Sequence, residues 1–421
     1  MKTVTKYISN SIRLFPSLIV FIVLTACSDD EPSLSESFFK IYDDSNFDVG
    51  YDPIDVIEVN NGYIILSATD QPNSNFDGIQ LIKLDDEGNF VDEAESAFND
   101  YEAPIGDMYF DDSDSTAYFF AKNSSSLDAV LISINTSLEV VDARLLGGVN
   151  YPLAVSESNN DNALVVLSYD PVNLQTELTE VSNINSDPII GNIAEYSIGA
   201  GNDTNVENLV INHFTSNNDF KIPFFCGQTP QGNYYFNGFT EFSMSLVISS
   251  PNNILAEDRR VLGQPINDPL IPNPLNAGIR SVMPLEDGNY AVAGFQFEEN
   301  YQLHSNPLTI GSVAQLDFGN MAEIRPYSKS KIISYTTNDV DYTIFASETK
   351  GNQVVLHFYN ASSGSIDGIH YVGFLNPFTF SSIKVGSDNS LLILGTTFTA
   401  GRFERIFLTK ISEGEVSSYL N

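Results

Sequence analysis

An all-β fold, a β-propeller of seven blades, is predicted from three observations. Residues 62–90, GYIILSATDQPNSNFDGIQLIKLDDEGNF, and residues 390–416, SLLILGTTFTAGRFERIFLTKISEGEV, carry one pattern at opposite ends of the chain: an apolar strand, a polar connection and a second apolar strand. Within the first of these strands an aromatic or aliphatic residue is followed four positions later by a small one. The offset recurs at Tyr63 and Ser67, Leu164 and Ser168, Tyr234 and Gly238, Tyr290 and Gly294, and Leu391 and Gly395, with looser copies at Ala117 and Ala121 and at Tyr342 and Ala346. The small positions return about every 50 residues, the length of a propeller blade, with one longer gap between Ser168 and Gly238. Any β-rich chain has alternating apolar strands, but a fixed offset at a near-constant spacing is not expected by chance.

Residues 1–26 hold Lys2, Lys6 and Arg13, no acidic residue, and an apolar run from Leu18 to Leu24. This is the layout of a secretory signal peptide, and the run is too short to span a bilayer. It ends in Leu24-Thr25-Ala26-Cys27, which resembles the lipobox of bacterial lipoproteins. The resemblance implies cleavage before Cys27, a lipid on Cys27 and attachment to a membrane through it. Ser28-Asp29-Asp30-Glu31-Pro32-Ser33 follows, polar and without apolar periodicity, so residues 27–35 are expected to be a flexible tether. That stretch is similar to the acidic signal after the cysteine in surface-displayed lipoproteins of Bacteroidota-type bacteria, which implies an outer-membrane protein facing the cell exterior.

The propeller itself is expected over residues 36–421. Phe38-Phe39-Lys40-Ile41-Tyr42 precedes the first complete unit and is expected to complete the blade formed by the C-terminus, because an open ring would leave unpaired strand edges. In each unit Gly or Asn before the first strand supplies a tight turn, as at Asn61-Gly62 and Asp287-Gly288-Asn289. The second strand, for example Gln80–Leu84, Val130–Ile134 or Phe407–Ile411, alternates only partly, as expected where both faces of a sheet are covered. The small residue is expected on the innermost strands, where blades converge. The long gap holds two extra apolar stretches, Val206 to His213 and Phe220 to Cys226, read as an inter-blade insertion or as an eighth blade. The units DGNYAVAG and IFLTKISEGEV resemble the repeats of secreted propeller-like lipoproteins from Bacteroidota, and the absence of Trp excludes the WD type.

With 55 acidic against 19 basic residues the formal charge is −36, and removal of the signal would make it −39. Nucleic acid is excluded as a partner, since it requires clustered Lys and Arg to displace counterions. Hydrophobic residues make up 42% of the chain, enough for a large core. Once Cys27 carries lipid, Cys226 is the remaining thiol and is expected to be a buried small hydrophobe.

No catalytic residue can be assigned from the sequence. His213, His304, His357 and His370 are isolated, without metal-ligand spacing, and no G-x-S-x-G or phosphate loop occurs. No metal or cofactor is expected. The oxygens of Asp111-Asp112-Ser113-Asp114-Ser115 read as a solvated hairpin tip, since the glycine and glutamate of a calcium loop are missing. Tyr101, Phe242, Phe297, Tyr301 and Phe403 fall in polar connections and are candidates to stack on sugars or anchor a partner. The leading functional expectation is a non-catalytic binding or scaffold module for a glycan or an outer-membrane protein. The alternative is a hydrolase or lyase acting on extracellular polysaccharide, with carboxylates gathered at the channel.

Overall fold

The structure is a computed structural model that describes residues 36–42, 51–70, 74–95, 98–197, 210, 213, 224–240, 243–249, 257–265, 277–296, 299–308, 311–312, 321–326, 328–399 and 403–420. Cys27 and the segments expected to be a signal peptide and a tether, residues 1–35, lie outside the described residues.

Seven sheets stand in a ring, a seven-bladed β-propeller. From the channel outward, blade one is Tyr51–Val59, Gly62–Thr69, Gly78–Leu84 and Phe90–Ala94, and blade two is Tyr101–Asp111, Thr116–Asn123, Asp128–Asn135 and Val140–Asn150. Blade three is Pro152–Glu157, Ala163–Asp170, Gln175–Ser182 and Ile189–Ser197. Blade four is Cys226–Gln228, Tyr234–Thr240, Ser243–Ser249 and Glu257–Pro265, with Gly311–Ser312 added in parallel to its outer strand. Blade five has three described strands, Ala277–Pro284, Tyr290–Gln296 and Glu299–Asn306. Blade six is Ser330–Thr337, Val340–Glu348, Val354–Asn360 and Ile366–Val372. Blade seven is Phe378–Val385, Leu391–Thr399 and Phe403–Ile411, completed on its outside by Phe38–Tyr42. The inner strand of blade seven packs on that of blade one, so the ring closes.

The closing strand runs antiparallel to Phe403–Ile411, with Phe38 opposite Lys410 and Tyr42 opposite Ile406, as expected from the sequence. Its alternation divides its contacts. Phe39 stacks on Phe407 at 5.8 Å within blade seven, whereas Phe38 meets Tyr63 at 5.9 Å and Lys40 Nζ donates to Asn89 Oδ1 at 2.8 Å, both in blade one.

Of the two expectations for the long gap, the inter-blade insertion holds, in shortened form as residues 198–225, and the eighth blade does not, since seven sheets make up the ring among the described residues. Ile189–Ser197 is the ordinary outer strand of blade three, and Cys226 opens the inner strand of blade four. Val210 is fully buried in the cluster joining blades two, three and four; the remainder of Val206 to His213, apart from His213, lies outside the described residues.

All seven small residues sit on the second strand of their blades, not on the innermost strand. In five blades the small residue faces a bulge in the inner strand; in blade six Ala346 pairs with Lys331 in unbroken register, and in blade four Gly238 lies beyond the short inner strand. Ser67 pairs with Pro53, Ser168 with Pro152, Gly294 with Ile279 and Gly395 with Phe380, and in each case the register slips at the next inner-strand residue. Ala121 faces the irregularity between Glu102 and Ile105. An extra inner-strand residue kinks that strand toward its partner, and a Cβ on Gly395 would lie 2.0 Å from the Thr379 carbonyl oxygen and 2.8 Å from the Phe407 ring. Gly395→Ala is therefore expected to cost about 1–3 kcal/mol through forced backbone movement. Gly414→Ala is the contrasting case. It lies in the C-terminal helix Glu413–Ser418 with nothing within 4 Å of the added carbon, and a gain of about 0.5–1 kcal/mol is expected. Urea midpoints of the two variants check both signs.

The core lies between blades. Leu66 and Phe119 join blades one and two; Phe120, Leu167 and Phe236 join blades two, three and four; Phe358 and Ile393 join six and seven; Ile65 and Leu394 join seven and one. Second and third strands thus have both faces covered, which explains their weak alternation.

Candidate functional site

The inner strands carry the charged residues that converge on the channel. Asp55 of blade one is fully buried. Its Oδ2 lies 2.6 Å from Lys384 Nζ of blade seven and accepts from the Met108 N–H of blade two at 2.8 Å, while Oδ1 accepts from Ser382 Oγ at 2.8 Å. Asp107 of blade two pairs with Lys331 of blade six at 2.7 Å. Blades two and six are not neighbours, so this pair spans the channel. Lys331 also donates to Ser382 Oγ at 3.3 Å and Lys384 to the Met108 carbonyl at 3.2 Å. A further pair, Lys329 with Asp52 at 3.1 Å, links blades six and one.

Next to these pairs lies a cavity of about 420 Å³ bordered by Asp107, Tyr109, Glu157, Lys331, Ser334 and Lys384, from blades two, three, six and seven. Burial works against the Asp107 carboxylate, but Lys331 and then Lys384 outweigh it and hold its pKa below the usual value. Burial likewise works against the Lys331 ammonium, and Asp107 and Asp55 reverse it, so that lysine binds its proton more tightly than normal. Both groups stay charged at neutral pH. The site can therefore offer fixed ammonium donors, carboxylate acceptors, the Tyr109 hydroxyl and Ser334.

The histidines are dispersed. His357 is fully buried, with Nε2 2.8 Å from Glu323 Oε1 and Nδ1 3.2 Å from Gln302 Nε2, which joins blades five and six. His370 stacks on Tyr419 at 4.0 Å, His304 on Tyr359 at 5.9 Å, and His213 lies edge-on to Phe224 at 4.6 Å. Burial lowers the His357 pKa although Glu323 pulls it upward. The folded chain therefore binds that proton more weakly than the unfolded one. Its stabilising contribution is complete above about pH 6.5 and is lost as pH falls from there toward the lower folded value. His357→Gln is expected to flatten the decline in urea midpoint between pH 7 and 5, whatever its effect at pH 7.

Other expectations fall as follows. Cys226 is buried, its Sγ donates to the Val165 carbonyl at 3.4 Å, and burial pushes its pKa up to about 12, so it is an inert core thiol. In the Asp111–Ser115 tip the oxygens accept from the turn itself: Asp111 Oδ1 from Ser113 N–H at 2.9 Å, and Asp114 Oδ1 from Thr116 N–H at 3.1 Å. Tyr301, expected in a polar connection, is in the third strand of blade five and only 1% exposed, packed with Val292 and Ile279. Tyr101 is half-buried at the start of an inner strand, Phe403 begins the third strand of blade seven, and Phe242 and Phe297 lie outside the described residues. Among the described residues the most exposed large apolar ones are instead Phe374 and Leu375, 88% and 87% exposed.

No family model matches the chain, and no curated protein does. Solved structures do match. The β-propeller domain of the Trilobed protease from Pyrococcus furiosus is 9% identical, covering 85% of this chain and 95% of that one with a TM-score of 0.43. The α-L-arabinanase of Penicillium chrysogenum complexed with arabinobiose is 11% identical over 71% and 90%, TM-score 0.42. A protein from Lactobacillus plantarum is 9% identical over 86% and 96%, TM-score 0.42.

Proposed function

We propose that this propeller is a lipid-anchored lipoprotein of the outer membrane, facing the cell exterior, that acts as a non-catalytic binding or scaffold module. Cys27 carries the anchor, and the channel cavity receives the ligand, a glycan or a segment of an outer-membrane protein. The observation that carries the binding reading is the pairing of the channel charges: Asp55 with Lys384 and Asp107 with Lys331. Hydrolysis of a polysaccharide by paired carboxylates needs one that is protonated and free to donate. Asp107 is held in the opposite state by its lysines, and Asp55 is enclosed with its oxygens engaged. Such pairs suit a rigid platform with polar contacts at its mouth.

Protease shaving of intact cells, with Cys27→Ala as the control, tests location. Blade peptides should be released from intact cells expressing the native chain and not from the variant. Glycan-array binding by native protein and by Lys331→Ala tests the site, with loss of signal expected for the variant. Turnover of a polysaccharide that disappears in Glu157→Gln would replace the binding reading with the hydrolase one.

A further inference from the structure

The anchor reading leaves open which part of the ring faces the lipid. Phe374 and Leu375 lie in the connection from the outer strand of blade six to the inner strand of blade seven, and both are almost wholly exposed. Phe39 on the closing strand is 46% exposed and Tyr371 42%. From Gly368 to Ile383 there is no acidic residue, lysine or arginine, in a chain with 55 carboxylates. Charge matters because entering the headgroup boundary strips water from whatever goes in, and it bounds the insertion to the tip: Glu323, which accepts from the Tyr371 hydroxyl at 2.8 Å, and Glu415, which borders the cavity beside Gly373, stay behind in water. Two adjacent apolar side chains that stand clear of their neighbours form a wedge rather than a groove for a helix or strand.

The position of the wedge selects its occupant. Gly373, the residue before Phe374, borders the same cavity as Ser37 and Phe39, and Ser37 follows directly on Glu36, where residues 27–35 join the ring. Those links reach at most about 30 Å, at roughly 3.3–3.6 Å per residue, so a lipid on Cys27 would bring a bilayer within reach of this rim. We propose that Phe374 and Leu375 insert into the bilayer interface and hold the propeller by the edge between blades six and seven. The proposal rests on the lipid-anchor reading. It adds a second, reversible membrane contact to the covalent one, and this contact fixes which edge of the ring faces the lipid, a choice that a flexible tether leaves open.

The chain contains no Trp, so Phe374→Trp creates a sole indole, which red-edge excitation separates from the 20 tyrosines. Ile189→Trp serves as the control, on the exposed outer strand of blade three across the ring. Full-length protein purified from membranes is reconstituted with phosphatidylcholine vesicles, with or without brominated acyl chains. The expected result is co-flotation, with blue-shifted emission at position 374 that brominated lipid quenches, and neither effect at 189. Co-flotation with position 374 as unquenched as 189 overturns the wedge and leaves the anchor standing. Failure to float overturns both. A blue shift at 374 that grows with protein concentration without vesicles also overturns the proposal, making a second copy of the chain the occupant.

Discussion

Replacing Asp55 by alanine is expected to lower the unfolding free energy by about 3–5 kcal/mol, the usual cost of removing one partner from a buried ion pair. The carboxylate is 0% exposed and engages three groups from two other blades: the Lys384 ammonium, the Ser382 hydroxyl and the Met108 amide. Its loss leaves an amide and a hydroxyl without their acceptor and an ammonium without its nearest carboxylate. Lys384→Met is expected to cost less, since its side chain is 23% exposed and the carboxylate keeps its other two donors. Urea unfolding followed by near-UV dichroism measures both. An Asp55→Ala loss below about 1 kcal/mol would mean that this residue does not clamp blades one, two and seven together.

A chain truncated to begin just after Tyr42 is expected to lose roughly 3–5 kcal/mol, from ladder hydrogen bonds at about 0.5–1.5 kcal/mol each and from the apolar packing of Phe38 and Ile41. The truncation removes the partner of Phe403–Ile411, so amide exchange should accelerate along that strand while the third strand of blade two, Asp128–Asn135, stays protected. It also leaves an unpaired edge with Phe407 uncovered, a template for intermolecular pairing. Light scattering should then rise with concentration, and a peptide of residues 36–42 added in trans should suppress it. Unchanged exchange at Phe407 and Thr409 would overturn the closing role.

The second and third strands of most blades are legible because they are long, apolar and buried on both faces, as in Gly62–Thr69 and Phe403–Ile411, and because in five blades a bulge lies opposite the small side chain. Three of the bulges hold a proline, Pro53, Pro104 and Pro152, but proline marks turns and strand starts equally well, so the position of Ser67 or Gly395 is readable while the strand that carries it is not. Inner strands were hard to read for the opposite reason. Cys226–Gln228 is very short, and the others place a charge inside an apolar segment, as with Asp55 in YDPIDVIEV and Lys384 in FTFSSIKV. Those interruptions were the available signal for the channel. Recognising it required knowing that Asp107 and Lys331, 224 residues apart, meet across the ring. Nothing in the local sequence distinguished Asp107 from the many surface carboxylates, and Tyr301 seemed exposed only because polar neighbours flank it.

The closing strand also sets a timetable. Phe38 and Thr409 are hydrogen-bonded partners 371 residues apart, so the described strand nearest the N-terminus meets its mate only once nearly the whole chain has been delivered. Until then Phe38-Phe39-Lys40-Ile41-Tyr42 is an unsatisfied edge on a chain whose other six blades can already assemble. Contacts of such separation slow folding. Any chaperone that accompanies the nascent chain therefore has its clearest task at this short N-terminal segment, and the ring cannot lock before the last blade has emerged.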